Sequence, residues 1–339
     1  MKLKILFRTS GGRAPKKELG FGHIYRSMNL ARNLKKCKVI FLVEDYGGAK
    51  KIMKKKGFQK IYSLQKNKDV LSDIQTTEKI IKKEKIDILI IDKFKISSKF
   101  LRELKKHTKI VLISDLKQTD FTADLIVNGF VGFKNQIKKN KFGSKCLLGP
   151  SFQIISHNFK KITRKKPQYD LLATFGGFDE NNIIEILLRE LYQFKGKIKT
   201  KIILGPGTKK TNKIQIYEKK LGNSIHVIRQ TDDMLNEISN TKYGLCSGGI
   251  TSYEFASMKK SFGIICQVKH QLINAKEWEK RKIALNLGLY NKKTGNKILN
   301  FLNRIEEKKI GNDLKNVHTN VGNNTQIIAK EILKLKKDF

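Results

Sequence analysis

The segment GFGHIYR places a histidine directly after two glycines, where a helix is expected to begin. His23 follows Gly20 and Gly22 at this point. Glycine leaves room for a ligand, and the free N–H groups of a helix start suit a phosphate or a developing oxyanion. A histidine held there can exchange protons with a reacting group near neutral pH. The alternative is a helix-capping turn with an incidental histidine, and the residue types alone leave both interpretations open.

Two aspartates end apolar segments that are typical of buried strands. Asp92 closes ILIID, and Asp115 follows KIVLIS. The carboxyl ends of strands in parallel sheets are where ligands bind. Together with His23, these carboxylates have the chemistry of a base, an acid or an orienting group. The alternative is that they only cap loops.

A glycine-rich turn in the second half of the chain has the character of an anion-binding loop. In LCSGGITSYEFASM, a strand runs into Ser247, Gly248 and Gly249, and a helix is expected near Thr251. Small residues at a positive helix end expose several N–H groups. Glu254 lies about one turn into that helix, where it can accept both hydroxyls of a ribose or simply favour the helix dipole.

A second glycine pair, in TFGGFDENN, also follows a predicted strand. Gly176 and Gly177 would let the backbone approach the same phosphate, and Asp179 or a following asparagine would cap the next helix. This pattern alone is weak. The segment GPGTKK reads as a turn, because its spacing is wrong for a P-loop.

Strand-like and helix-like segments alternate along the whole chain, which predicts how these residues are positioned. Such an order indicates an α/β protein with parallel, doubly wound sheets. The pattern restarts after RKKPQ. We therefore predict two Rossmann-like domains facing a cleft, residues 1–155 with the histidine and residues 165–339 with the glycine-rich loops and a helical tail. Ligands are then expected at the strand ends.

The chain is strongly basic, with 71 Lys and Arg against 30 Asp and Glu and a formal net charge of +41. Such a field attracts polyanions. The lysines are nevertheless spread along all 339 residues, and no tract interleaves arginine with aromatic residues. This argues against a specific nucleic-acid partner, although a charge-driven binding protein remains the alternative from a different class. An anionic small substrate gains from the field in either case.

The cysteines and the apolar segments further limit the class of protein. The four cysteines are neither paired as C-x-x-C nor spaced with histidine like a zinc site, so we expect buried thiols, no metal and no cofactor. A membrane span needs about 18 apolar residues, and no apolar run of the sequence is that long. The apolar segment at the start is too short for a signal peptide. These features predict a cytoplasmic protein, either a monomer or a weak oligomer.

Several segments, in this order, resemble the UDP-sugar hydrolases of pseudaminic acid biosynthesis, a group related to two-domain glycosyltransferases. The resemblance covers roughly residues 1–290 and rests on MKLKILFR, GFGHIYRSMNLARNL, ILIIDKFKIS, ADLIVNGF, LLGPSF, YDLLATFGGFDENN and CSGGITSYEFASM. It implies cleavage of UDP-2,4-diacetamido-2,4,6-trideoxy-β-L-altropyranose by water, with inversion at the anomeric carbon and release of UDP and the free sugar.

The resemblance also implies a fold of the glycosyltransferase-B type, with UDP bound by the second domain (residues 165–339), and it implies residue roles. The catalytic histidine of the family falls on His23, and its strand-end aspartate falls on Asp92. The loop and glutamate that hold UDP fall on Ser247, Gly248, Gly249, Thr251 and Glu254. We further expect substrate contacts from Gly20, Gly22, Arg26, Gly176 and Gly177.

Two departures from the family pattern leave the reaction open. Phe94 stands where relatives tend to have a tyrosine, Lys93 precedes it, and the loop after the first strand lacks an expected aspartate. A sugar-nucleotide-dependent glycosyltransferase of surface polysaccharide synthesis, with an acceptor hydroxyl in place of water, is therefore the alternative.

Overall fold

The chain divides into two compact units, each built around one sheet. The computed structural model describes residues 2–12, 20–67, 69–93, 96–156, 166–231, 233–310 and 320–338. One unit comprises Met1–His157 with Val321–Phe339, and the other comprises Asn158–Asn320.

The first unit holds an eight-stranded sheet in the order β3-β2-β1-β4-β5-β6-β8-β7. Its strands are β1 Lys4–Gly11, β2 Lys38–Asp45, β3 Ile61–Leu64, β4 Ile88–Asp92, β5 Lys109–Ser114, β6 Leu125–Asn128, β7 Gln136–Lys139 and β8 Lys145–Leu148. The helices are α1 Gly22–Ala31, α2 Ala49–Lys55, α3 Val70–Glu84 and α4 Ser98–Lys105, followed by a 3₁₀ turn at Pro150–Phe152. All pairings are parallel except that of β7 with β8.

Alternation along the strands sends apolar side chains to both faces of this sheet. Ile5 and Phe7 of β1 join one core cluster, which includes residues of α1 and α2. Leu6 joins the other cluster, together with residues of α3 and α4. A sheet covered on both faces needs apolar residues at consecutive positions, which is why its strands read as continuous apolar runs.

The C-terminal helix, α11 (Thr325–Lys334), belongs to the first unit. Ile328 and Ile332 are buried in the same cluster as Ile5, and Lys145 on β8 pairs with Glu331. This differs from the sequence-based division, which placed the tail with the second domain. The apolar face of a helix identifies what must be buried but not which sheet covers it.

The second unit holds a six-stranded parallel sheet in the order β11-β10-β9-β12-β13-β14. Its strands are β9 Tyr169–Thr174, β10 Thr200–Leu204, β11 Ile225–Arg229, β12 Thr241–Cys246, β13 Ser261–Cys266 and β14 Ala284–Leu289. The helices are α5 Ile183–Gln193, α6 Asn212–Leu221, α7 Met234–Ser239, α8 Ile250–Ser257, α9 Gln271–Lys280 and α10 Thr294–Glu306.

The α/β fold class predicted from the alternation is confirmed by these two sheets. In each sheet the first strand of the unit lies in the interior, and the chain builds the sheet outward first on one side of it and then on the other. The neighbours of β1 are β2 and β4, and the neighbours of β9 are β10 and β12. Such a reversal of strand order opens a crevice at the carboxyl ends, which is the usual ligand position in open α/β sheets. The sequence motifs above fall at these two reversals.

Candidate active site

His23 lies in the first turn of α1, close to the carboxyl end of β1. The helix begins at Gly22, and no side chain of the described residues caps it. A Cβ atom at Gly11 would stand 2.8 Å from the carbonyl oxygen of Gly20 and 2.6 Å from Cγ1 of Ile24, so this close approach requires glycine. A Cβ at Gly20 or Gly22 would meet no described residue within 4 Å, which is compatible with their predicted role beside a ligand.

The imidazole of His23 contacts Asp92, the last residue of β4. Nδ1 lies 2.7 Å from Oδ1 of Asp92, a carboxylate with no exposed surface. Nη2 of Arg26 lies 3.0 Å from the same nitrogen, but the contact with Asp92 is the shorter one. An ionised carboxylate only accepts hydrogen bonds, so we assign the hydrogen to Nδ1. In neutral His23, Nε2 then holds the lone pair, and the side chain keeps 19 % of its surface exposed. The arrangement fits a base that is oriented by a carboxylate.

Arg26, one turn further along α1, holds the same carboxylate from its other side. Its Nε and Nη2 donate to Oδ2 and Oδ1 of Asp92 at 2.9 and 2.6 Å, and Nη1 donates to Oδ2 of Asp115 at 2.7 Å. Burial alone would raise the pKa of Asp92, but Arg26 and His23 outweigh it and lower the pKa to about 2. Burial likewise opposes the charge of Arg26, yet Asp115 and Asp92 raise its pKa. Asp92 is therefore ionised throughout the neutral range.

The buried position of Arg26 differs from the direct substrate contact that the sequence suggested. Its side chain is almost fully buried, and its nitrogens are directed at the two carboxylates. Within the structure Arg26 thus orients Asp92, and its Nη2 also lies 3.0 Å from Nδ1 of His23. The GFGHIYR pattern places Arg26 three residues after His23 on one helix face, but its carboxylate partners come from strands 66 and 89 residues away.

Lys93 turns to the opposite face of the sheet from Asp92. Its Nζ lies 2.6 Å from Oδ2 of Asp73 and 4.2 Å from the ring centroid of Phe100. Asp73 also binds Arg8 through two hydrogen bonds of 2.9 Å. Lys93 therefore joins a separate buried ion cluster, although the sequence interpretation treated it as a change near the reacting group. Phe94 and residues 13–19 lie outside the described residues.

The second unit brings two of the predicted glycine loops side by side. β9 and β12 are neighbours, and a Cβ at Gly176 would lie 3.6 Å from Oγ of Ser247. Gly176 has a φ of +77°, a value that favours glycine. A Cβ at Gly248 would stand 2.8 Å from the carbonyl oxygen of Gln271, whereas Gly249 has open space. The loop thus needs glycine at one position for packing and has room at the next.

Helix α8 begins at the second loop with its N-terminus uncapped by any side chain. Gly249 is the N-cap, and Oγ of Ser252 donates to its carbonyl oxygen at 2.7 Å. The buried Trp278 donates from Nε1 to the same hydroxyl at 3.1 Å, which anchors the first turn. Thr251 lies in that turn. Rigid, uncapped N–H groups at a helix start are the setting in which proteins bind phosphate.

Glu254 lies on the second turn of α8, without a hydrogen bond or ion pair from its carboxyl group among the residues described. Burial raises its pKa to about 8, although the side chain keeps a partly exposed surface. The Glu254 carboxyl is therefore mostly protonated at neutral pH. In that form it both donates and accepts hydrogen bonds, which suits a pair of hydroxyls.

A third glycine loop, which the sequence did not identify as part of the site, supports the two glycine loops of the second unit. Gly205 and Gly207 follow β10, and a Cβ at Gly205 would stand 2.0 Å from the carbonyl oxygen of Gly176. The N–H of Gly207 donates to the carbonyl oxygen of Gly177 at 2.7 Å. The segment GPGTKK is a turn, as predicted, and it also supports the neighbouring loop. Glycine spacing in the sequence was the available signal, but only the adjacency of β9 and β10 gives it meaning.

Asp179 caps α5, which is the role predicted for it. Its two carboxylate oxygens accept hydrogen bonds from the N–H groups of Ile183 and Ile184 at 2.9 and 2.8 Å. Burial raises its pKa to about 6 despite these bonds. The Gln267 amide further fixes the loop by donating to the carbonyl oxygens of Phe175 and Phe178, a contact for which the sequence carried no signal.

The described ranges lack two features, a metal-binding cluster and a membrane-spanning helix. No cluster of three or more His, Cys, Asp or Glu side chains has metal-binding geometry there. In the same ranges no helix is both long and apolar enough to span a bilayer.

Comparison with solved structures defines the fold as glycosyltransferase-B type. MurG of Acinetobacter baumannii superimposes with a TM-score of 0.67 at 16% identity, covering 98% of this chain and 99% of that one. A UDP-glucosyltransferase from Polygonum tinctorium gives 0.66 at 10% identity over the full length of both chains. A UDP-GlcNAc 2-epimerase from Neisseria meningitidis gives 0.57 at 11%, covering 98% of this chain and all of that one. The predicted fold is thus confirmed.

Sequence relatives connect the chain more specifically to sugar biosynthesis. It is 25% identical over 280 residues to the UDP-2,4-diacetamido-2,4,6-trideoxy-beta-L-altropyranose hydrolase of Campylobacter jejuni, covering 79% of this chain and 93% of that protein. It is 27% identical to the spore coat polysaccharide biosynthesis protein SpsG of Bacillus subtilis, covering 80% and 81%. The resemblance stated from the motifs is confirmed at this distance. No protein-family model matches the chain.

A third relative is longer than this chain. An uncharacterized protein of Methanocaldococcus jannaschii is 27% identical over 271 residues, which cover 74% of this chain. The match spans only 53% of the archaeal protein, about half of its length.

Proposed function

We propose that the chain is a UDP-sugar hydrolase that cleaves a UDP-linked diacetamido-trideoxy sugar in nonulosonic acid biosynthesis. The observation that carries the proposal is the buried His23–Asp92–Arg26 arrangement at a strand end, in a chain similar to a hydrolase of that substrate. A UDP-sugar is the substrate class that this relative and the glycine loops of the second unit both support.

The first unit supplies the proton transfer in this proposal. Nε2 of His23 takes a proton from water while the water oxygen bonds to the anomeric carbon, opposite the leaving group. The bond from that carbon to the diphosphate oxygen breaks, and its electron pair leaves with UDP. Asp92 stays ionised, because its pKa is about 2, and stabilises the imidazolium. A positioned base typically contributes about 10²- to 10⁴-fold in rate.

The second unit supplies binding of UDP. The uncapped N-terminus of α8 offers backbone donors to the diphosphate, whose negative charge grows as the bond breaks. Ser247, Gly248, Gly249 and Thr251 line that helix start, and Gly176 and Gly177 belong to the adjacent loop. Glu254 contacts the ribose hydroxyls.

Release of UDP in the absence of any acceptor tests the hydrolase. Purified protein is incubated with the UDP-diacetamido sugar, and UDP and free sugar are measured with time. His23→Gln should lower the rate by about 10²- to 10⁴-fold and leave the Kd for UDP unchanged. His107→Gln is the matched control, because His107 lies in the same unit, is partly exposed and pairs with Glu78. Full activity in His23→Gln would remove His23 from the mechanism.

A sugar-nucleotide-dependent glycosyltransferase is the second candidate. The length-matched similarity to MurG and to a UDP-glucosyltransferase favours it, as does the name of the SpsG relative. The same base would then deprotonate an acceptor hydroxyl. In that case UDP binds equally well, UDP release without acceptor is slow, and addition of the acceptor glycan accelerates it through the same His23-dependent step.

A further inference from the structure

Two carboxylates bind the single positive charge of Arg26. Asp92 binds its Nε and Nη2, which already forms a complete ion pair. Asp115 binds Nη1 at 2.7 Å in addition. One guanidinium against two carboxylates leaves a surplus negative charge at this strand edge. Asp115 helps to keep Arg26 charged, but this contact uses only one of its two carboxylate oxygens.

Asp115 is also the exposed member of this group. Its side chain retains 36 % of its surface, whereas that of Asp92 retains none. Arg26 holds Oδ2, and Oδ1 accepts no hydrogen bond from the residues that the structure describes. Asp115 directly follows β5, which pairs with β4 next to the end that carries Asp92. The carboxylate is therefore fixed through one oxygen and open through the other, on the same edge as the histidine.

The open oxygen selects a class of ligand group. A carboxylate oxygen accepts hydrogen bonds and donates none, so its partner must be an O–H or N–H group. The surplus charge repels a diphosphate, which excludes that part of a nucleotide sugar. Neutral hydroxyl and acetamido groups of the sugar meet both conditions.

We propose that Asp115 recognises the sugar, with Oδ1 accepting a hydrogen bond from a hydroxyl or acetamido N–H group and Arg26 holding the carboxylate in place. This inference rests on the proposed function, because it assumes that a UDP-sugar is the substrate. Asp115 would thereby be a specificity-determining residue beside the His23 base.

Asp115→Asn tests the inference with little change in shape. The amide oxygen still accepts from Arg26, and the amide nitrogen then faces outward as a donor. The polarity of the outward group is thus inverted while the Arg26 contact remains. We expect KM for the UDP-diacetamido sugar to rise about tenfold, with kcat within a few-fold of wild type and the Kd for UDP unchanged. Asp120→Asn is the control, since Asp120 is an exposed carboxylate of the same unit that pairs with Lys141.

Three results would overturn the inference. A lower kcat with an unchanged KM would show that Asp115 acts only through Arg26, and unchanged kinetics would remove any role. Saturation-transfer NMR with free N-acetylmannosamine and N-acetylglucosamine, on wild type and Asp115→Asn, adds a readout that needs no turnover. Equal sugar signals in the two proteins would also contradict it. If wild type neither binds UDP nor cleaves the nucleotide sugar, the proposed function fails, and the sugar signals still decide the role of Asp115.

Discussion

The strand-end sites of the two units consist of different groups, charged side chains in the first and backbone donors in the second. In the first unit, charged side chains from α1, β4 and the end of β5 bind one another through short hydrogen bonds. In the second unit, glycine loops and an uncapped helix start leave backbone donors available. The first arrangement holds a proton-exchanging group in one orientation. The second is suited to receiving a charged ligand from solvent and releasing it.

The two sites also differ in the ionisation of their buried carboxyl groups. Asp92 is ionised throughout the neutral range because its pKa is about 2. Glu254 is mostly protonated at pH 7 because burial raises its pKa to about 8. The glycine-loop site therefore carries little fixed negative charge when it is empty, which favours a diphosphate. Burial acts on both carboxyl groups, and the presence or absence of a cationic partner decides the direction of each shift.

The largest effect is expected from breaking the charged site. Arg26→Met removes the cation that compensates Asp92 and leaves a buried carboxylate unpaired, so we expect a loss of about 3–5 kcal/mol in the free energy of unfolding. Urea unfolding measures this loss. Arg102→Met is the control, because Arg102 is a surface residue with only a 3.9 Å contact to Glu103. A loss below about 1 kcal/mol would mean that the carboxylates are solvated.

The positions of the two catalytic candidates followed from the sequence because each is set locally. Asp92 ends an apolar run whose length and composition fit a buried strand. His23 follows two glycines where helical spacing begins. Parallel strands then bring their carboxyl ends to one edge. The α/β class could be predicted for the same reason, since alternation of elements is a property of the chain itself.

What could not be predicted depends on contacts between distant segments. Asp115 lies 89 residues from Arg26, and nothing in either segment identifies the other as its partner. The exposed strand β7 has no apolar pattern, so its antiparallel pairing with β8 went unnoticed. By contrast, the side chains of Asp92 and Lys93 point to opposite faces of the sheet because side chains alternate along a strand. This difference could have been predicted from the sequence.

A smaller effect is expected from distorting the glycine-loop site. Gly248→Ala would place a Cβ 2.8 Å from the backbone of Gln271, so the loop must shift, and we expect about tenfold weaker UDP binding. Gly263→Ala on β13 is the matched control, because its Cβ would stand 2.9 Å from the ring of Phe301, in the same unit but outside the loop, and we expect at most a small change in UDP binding. Isothermal titration with UDP measures both. Equal affinities in the two variants would show that this loop does not hold UDP.

The smallest effect concerns the pH dependence of the second unit. The folded-state pKa of Glu254 is raised from 4.5 to about 8, so the folded protein keeps a proton that the unfolded chain has lost, and stability falls as pH rises through this interval. Between pH 6.5 and 8.5, above the pKa of about 6 of Asp179, we expect Glu254 to account for about 1 kcal/mol of this fall, since its partial exposure weakens the burial effect. Glu254→Gln should flatten the stability profile in that range, whereas Glu180→Gln, an exposed neighbour of Asp179, should not. Urea unfolding at intervals of half a pH unit provides the profiles. An unchanged slope in Glu254→Gln would mean that Glu254 is ionised and solvated, and the contrast between a charged first site and an uncharged second site would then no longer hold.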